Sequence, residues 1–216
     1  MSISYFDHES LQRWFRDNGD RTHRINYDLD RDSIVFDLGG FEGSWSADIF
    51  EKYECEIYIF EPVKKYFDKI VGRFENNPKI HIFNLGLSNK NGTYSIYYNN
   101  DSSSLVHKTS ETLGMESIQL KNICDFIDEI NIEKIDLIKI NIEGEEFDLL
   151  DEIINRSYQS KFSNIQVQFH KMFDDCYQRR DNIRKSLSET HYTTYDYTFV
   201  WENWSRTDTT PATGTP

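Results

Sequence analysis

Three short stretches of this chain carry residue types at spacings that can do chemistry. The first is Asp37-Leu38-Gly39-Gly40-Phe41-Glu42-Gly43, directly after the apolar run Ser33-Ile34-Val35-Phe36. A buried strand that runs into glycines and then a helix puts its turn at the carboxyl end of a sheet, where open α/β proteins bind ligands. Gly39 and Gly40 let the backbone bend sharply and approach a ligand, and Gly43 lets the helix start tight against the sheet. A pyrophosphate site needs free amides and the spacing Gly-x-Gly-x-x-Gly. Here the carboxylate of Asp37 precedes the turn, which repels phosphate and suits a cation. S-adenosylmethionine has an ammonium, a sulfonium and no phosphate, so it fits better than a nicotinamide dinucleotide. The second stretch is Ile59-Phe60-Glu61-Pro62. Glu61 lies 24 residues after Asp37, where an acid accepts hydrogen bonds from ribose hydroxyls. The third is Ile138-Lys139-Ile140-Asn141-Ile142-Glu143-Gly144. Lys139, Asn141 and Glu143 alternate, so in a strand they share one face. Lys and Glu are rarely buried unless paired. They mark either a site at the strand end or a Lys139–Glu143 ion pair that fixes it.

These residues need elements to hold them. Apolar runs at 33–37, 56–60, 79–83, 135–140 and 165–169 predict buried strands, and 93–98 predicts a more exposed one. Helical spacing of Trp45, Ile49 and Tyr53 predicts a helix, with others around 63–74, 123–130, 147–154 and 178–189. Pro62 suits a first helical position. Glu145 and Glu146 suit the positive end of a helix dipole. Strand, helix, strand with short connections implies a parallel sheet covered on both faces. Runs at 191–197 and 198–203 predict an antiparallel edge hairpin. Residues 1–30 read as an N-terminal helix (5–17, with Asp7 as N-cap) and a linker. Residues 31–204 read as the main domain, and 205–216 as a disordered tail. Residues 99–116 read as a Ser-rich loop.

Composition narrows the function. The 216 residues carry 37 acidic and 24 basic side chains, a net charge of −13. That speaks against a nucleic-acid partner, which needs clustered Lys and Arg. No apolar run is long enough to span a membrane, and the N-terminus shows no secretory signal. Cys55, Cys124 and Cys176 show no C-x-x-C spacing, which disfavours a disulfide framework and a zinc site. A cytoplasmic location is expected.

Taken together, VFDLGGFEG, IFEP, the Ser102-Ser103-Ser104-Leu105 run, DLIKINIEGEE and IQVQFH resemble the FkbM-type family of S-adenosylmethionine-dependent methyltransferases over roughly residues 31–204. The resemblance implies a Rossmann-like class I methyltransferase fold. It implies S-adenosyl-L-methionine as donor and O-methylation of a sugar, glycan or other small-molecule hydroxyl. By position, Asp37, Gly39, Gly40 and Gly43 form the cofactor turn, and Glu61 holds the ribose. Apart from the resemblance, Ser102, Ser103 and Ser104 lie in a loop able to close over the cofactor. Lys139, Asn141 and Glu143 occupy the family's Lys-x-Asp-x-Glu-Gly site. Two positions depart from the family pattern: Phe41 stands where Asn is usual, and Asn141 where Asp is usual. An amide cannot act as a base and is a weak metal ligand; no metal is expected. His170, at the end of the 165–169 strand, is the expected catalytic base, with Glu143 second. The alternatives are a non-catalytic donor-binding relative and a nicotinamide-dependent sugar oxidoreductase or epimerase, whose Gly-x-Gly-x-x-Gly and Tyr-x-x-x-Lys are missing.

Overall fold

A computed structural model describes residues 8–98, 103–104 and 114–207. In chain order, α1 (His8–Arg16) and α2 (Gly19–Thr22) precede β1 (Ile34–Leu38), α3 (Ser44–Tyr53), β2 (Glu56–Phe60), α4 (Lys64–Phe74) and β3 (Ile80–Phe83). Then come β4 (Gly86–Ser88), β5 (Gly92–Tyr98), β6 (Ser103–Ser104), β7 (Gly114–Asn122) and α5 (Ile123–Glu129). The chain ends with β8 (Leu137–Ile140), α6 (Glu146–Asn155), β9 (Asn164–Val167), α7 (Cys176–Leu187), β10 (His191–Tyr197) and β11 (Trp201–Arg206).

The main sheet has seven strands in the order β10-β11-β9-β8-β1-β2-β3. Of the strands from β9 to β3 all five are parallel, and β11 runs antiparallel both to β9 and to the edge strand β10. From β1 the chain moves outward to β2 and β3, then returns to place β8 on the other side of β1. That reversal opens a crevice at the carboxyl ends of β1 and β8. This is the Rossmann-like arrangement of class I methyltransferases. A second sheet, β4-β7-β5-β6, is inserted between β3 and α5.

The central strands form because their residues are apolar on both faces, as a sheet covered twice requires. One face carries Phe36, Ile138, Ile140 and Ile165 into a core with Phe126, Phe147 and Ile183 of α5, α6 and α7. The other carries Val35, Ile57 and Ile59 against Trp45, Ile49, Ile70 and Phe74 of α3 and α4. The small sheet packs Ile96, Ile118 and Leu120 on Val63 and Tyr66. Asn122 starts α5 by accepting from the amides of Cys124 and Asp125.

One row breaks the apolar pattern. Asp37 on β1 is level with Lys139 on β8, Lys139 with Gln166 on β9, and Gln166 with Asn203 on β11. Tyr27 caps this row: its hydroxyl meets the Gln166 amide and donates to Asn203 Oδ1.

Several expectations change. Residues 18–31 are not a bare linker: they carry α2, and Gly19 packs so closely on Trp14 that a Cβ there would meet the indole at 2.3 Å. Trp14 in turn meets Tyr197 edge-on, ring centres 5.1 Å apart. Within the expected loop, β6 and the start of β7 are strands; the alternation of Ile118 and Leu120 with Gln119 and Lys121 is the signal that marks β7. Helix α4 starts two residues after Pro62. Ser205 and Arg206, assigned to the tail, belong to β11, and Arg206 donates to the Ser163 carbonyl. Asp7, most of 99–113 and the tail from 208 lie outside the described residues. Among the described residues no helix is long and apolar enough to cross a membrane.

Candidate active site

The site is built from β1 and β8 outward. Lys139 and Asp37 stand side by side on neighbouring parallel strands, and Lys139 Nζ donates to Asp37 Oδ1 at 2.9 Å. The other donors of Lys139 reach the Leu38 and Gly39 carbonyls at 3.2 and 2.8 Å. Asp37 Oδ2 accepts from Ser46 Oγ at 2.6 Å. Both charged side chains are under 5% exposed. Burial pulls the Lys139 ammonium below its usual range, against the pull of Asp37. The Lys139 ammonium thus pairs with Asp37, not with Glu143 as one of the two sequence readings had it, because the register of β8 against β1 decides which residues meet. Asp37 faces this ammonium and is not among the residues that line the cavity.

The glycine turn offers shape, not amide donors. The amides of Gly39 and Gly40 donate to the Phe60 carbonyl, and that of Gly43 to the Gly40 carbonyl. Phe41 N donates to Glu61 Oε2 at 2.9 Å, and Val63 N to Glu61 Oε1 at 2.8 Å. Gly39 has φ +77°, and a Cβ there would meet the Asn141 carbonyl oxygen at 2.0 Å. We expect Gly39→Ala to cost about 2–5 kcal/mol, from a left-handed backbone and a contact that only backbone movement relieves. A urea titration within about 0.5 kcal/mol of the parent, the range of inert surface changes, would disprove that constraint.

The loop after β8 turns back at Glu143 (φ 52°) and Gly144 (φ 106°). Glu146, fully buried, holds it: Oε1 accepts from Ile142 N and Oε2 from Gly144 N, both at 2.9 Å. Glu146 Oε1 also lies 2.9 Å from His170 Nδ1. His170 Nε2 faces Glu143 Oε1 at 3.6 Å. Burial lowers the basicity of His170, but the charge and hydrogen bond of Glu146, with Glu143, outweigh it and push its pKa from 6.5 up to about 9. The ring is protonated at neutral pH. Its contribution to stability is full below 6.5 and is lost as pH rises through 9. Burial raises the Glu143 carboxyl, partly opposed by His170.

A cavity of about 420 Å³ opens at the carboxyl ends of these strands. Gly39, Gly40, Glu61, Lys139, Asn141 and Glu143 line it, as their spacing predicts. Asp37, Gly43 and His170 stand one layer back, each touching a lining residue. His170, the expected base, is buried behind Glu143, which itself lines the cavity. Ser104 is level with Tyr97 at the outer edge of the small sheet, and Ser102 lies outside the described residues. Arg24, Trp45 and Glu145, which the motifs do not mark as site residues, also line the cavity. Trp45 sat in plain view in a helical stripe; Arg24 carried no signal. Among the described residues no cluster fit to hold a metal occurs.

Strand order and cavity together define a class I methyltransferase domain. More particularly, a model of the methyltransferase FkbM domain matches residues 37–197, well over half of the chain. The chain belongs to the FkbM methyltransferase family. Comparison with curated proteins gives no match. Among solved structures, an rRNA methylase from Streptococcus thermophilus aligns at TM-score 0.49 and 11% identity, covering 82% of this chain and 89% of that one. Fibrillarin from Methanococcus jannaschii, a pre-rRNA processing protein, aligns at 0.49 and 13%, covering 88% and 76%. TrmK of M. capricolum, solved with S-adenosyl-homocysteine, aligns at 0.46 and 11%, covering 94% and 70%. These likenesses concern the fold and say nothing of this chain's acceptor.

Proposed function

We propose that this domain binds S-adenosylmethionine in the cavity and methylates a hydroxyl of a small-molecule or glycan acceptor, with Glu143 as the base. The observation that carries the reading is the convergence of the Gly39 turn, Glu61 and Asn141 on one cavity at the β1/β8 crevice. The residues fit the donor. Asn141 Oδ1 is buried without a hydrogen-bond partner, a vacancy that an ammonium fills. The amides of residues 39–41 are already used, so these three positions offer no donors to a phosphate. Glu61 keeps acceptor capacity beyond its two amides, since a carboxylate has about four lone-pair sites; ribose hydroxyls would use it.

When bound, S-adenosylmethionine supplies an activated methyl group. The chain's part is to align the acceptor and manage one proton. Glu143 takes the proton of the acceptor hydroxyl. Its burial raises its affinity for that proton toward the working pH. His170 and Glu146 are positioning residues that hold Glu143 and its loop. The net charge of −13 opposes a polyanionic acceptor such as RNA, although the solved likenesses include RNA methylases. Calorimetry with S-adenosylhomocysteine, followed by methyl transfer to hydroxylated acceptors, tests the reading. A folded protein that takes up no ligand would sink it.

The pH dependence of binding follows from Glu61. Burial raises its carboxyl to about 7, against the two amides and Lys139. Ribose hydroxyls donate to the ionised form, so affinity should rise as pH climbs from 5 through about 7 and level off above. The same group penalises the free protein: its stabilising share is full below 4.5 and lost as pH rises through 7. Titrations at several pH values check this, and Glu61→Gln should flatten the curve. A flat curve for the parent protein contradicts the assignment.

A further inference from the structure

Two residues of the cavity lining each carry a buried polar atom without a hydrogen-bond partner: Arg24 Nε, a donor, and Asn141 Oδ1, an acceptor. Arg24 precedes the family-matched segment, 37–197. Its backbone is fixed nonetheless. The Arg24 carbonyl accepts from Trp45 Nε1 and from Gln166 Nε2, each at 3.0 Å. Its guanidinium lies 4.3 Å from the centre of the Trp201 ring, and Nη1 donates to Asp20 Oδ1 at 3.0 Å. The same part of the cavity is lined by Lys139, whose donors go to Asp37 and two carbonyls. Arg24 is near enough to help lower the Lys139 pKa. Two cations thus approach one another, Lys139 beside the carboxylates of Asp37 and Glu61 and Arg24 beside that of Asp20. An anion entering from the cavity side relieves this repulsion and satisfies Arg24 Nε.

We propose that Arg24 receives the carboxylate of the donor's amino-acid end while Asn141 accepts from its ammonium, so that the segment ahead of the family domain completes the donor site. An unpaired donor and an unpaired acceptor in one cavity are the complement of a zwitterion. Arginine suits a carboxylate because its planar fork offers several N–H groups at once. The Trp201 ring holds that fork in place. The inference rests on the reading that the cavity takes S-adenosylmethionine.

The test compares three ligands by calorimetry: S-adenosylhomocysteine, its decarboxylated analogue, and methylthioadenosine, which lacks the whole amino-acid end. On the unaltered protein the decarboxylated analogue should bind at least about tenfold more weakly than S-adenosylhomocysteine, the scale of a charge-assisted hydrogen bond. Arg24→Gln should weaken S-adenosylhomocysteine by a similar factor and leave methylthioadenosine unchanged, with Arg24→Lys between. Equal affinity of the unaltered protein for the first two ligands overturns the inference, and needs no variant to fold. Arg24→Gln that weakens S-adenosylhomocysteine and methylthioadenosine alike also overturns it, by showing that Arg24 only supports the cavity wall. If neither ligand binds the folded, unaltered protein, the donor site itself is wrong and both readings fall.

Discussion

Replacing Glu143 by Gln should cut methyl transfer about 10²–10⁴-fold, the usual worth of a general base, while S-adenosylhomocysteine binds as before. Gln keeps the size of the side chain but cannot take a proton. Glu143 lines the cavity, stands 3.6 Å from His170 Nε2, and has its proton affinity raised by burial. The partner change, His170→Asn, removes the facing imidazolium and leaves Glu143 in place. It should move the pH profile of turnover toward higher pH, because the charge that opposes Glu143 protonation is gone. Unchanged turnover in Glu143→Gln removes it as the base. Loss of ligand affinity together with turnover would reassign it to the donor site.

The second large effect is on stability. Lys139→Met should lower the unfolding free energy by about 3–5 kcal/mol, the cost of stranding a buried charge. Domains are stable by about 5–15 kcal/mol, so this consumes a large share. Asp37 would keep only Ser46 Oγ as a partner among its present side-chain contacts. The double change Asp37→Leu with Lys139→Met should recover much of the loss, since a buried ion pair can be replaced by apolar groups. Denaturant titration of the single and double variants measures both. A loss under about 1 kcal/mol for Lys139→Met would mean that water reaches the pair and that it does not anchor the turn.

The strands that carry the site were legible because a sheet covered on both faces demands apolar runs, and Val35, Ile57 and Ile138 stand in such runs. The acid of Glu61 was legible because the β1-turn-helix-β2 unit has a nearly fixed length. Partners across the sheet were not. Lys139 and Asp37 are far apart in sequence, and only the return of the chain past β1 makes them neighbours. Spacing along one strand pointed Lys139 at Glu143 instead. Glu146 is marked in the sequence only as an acid at a helix start; its burial under His170 depends on where β9 ends. Arg24 lies in a polar stretch with no periodicity, so nothing local marks it. Its role comes from the Trp45 indole and the Gln166 amide, which meet its carbonyl from two other elements.

The polar row across the main sheet has a practical consequence for dissecting the protein. Its last members look outward to Tyr27, and both Gln166 and Trp45 spend a hydrogen on the Arg24 carbonyl. A gene trimmed just ahead of β1, the strand in which the family-matched segment begins, would leave those donors bare and uncover the indole faces of Trp45 and Trp201. The excised fragment should precipitate or melt early, so expression boundaries belong ahead of Trp14, not at the edge of the recognisable motif.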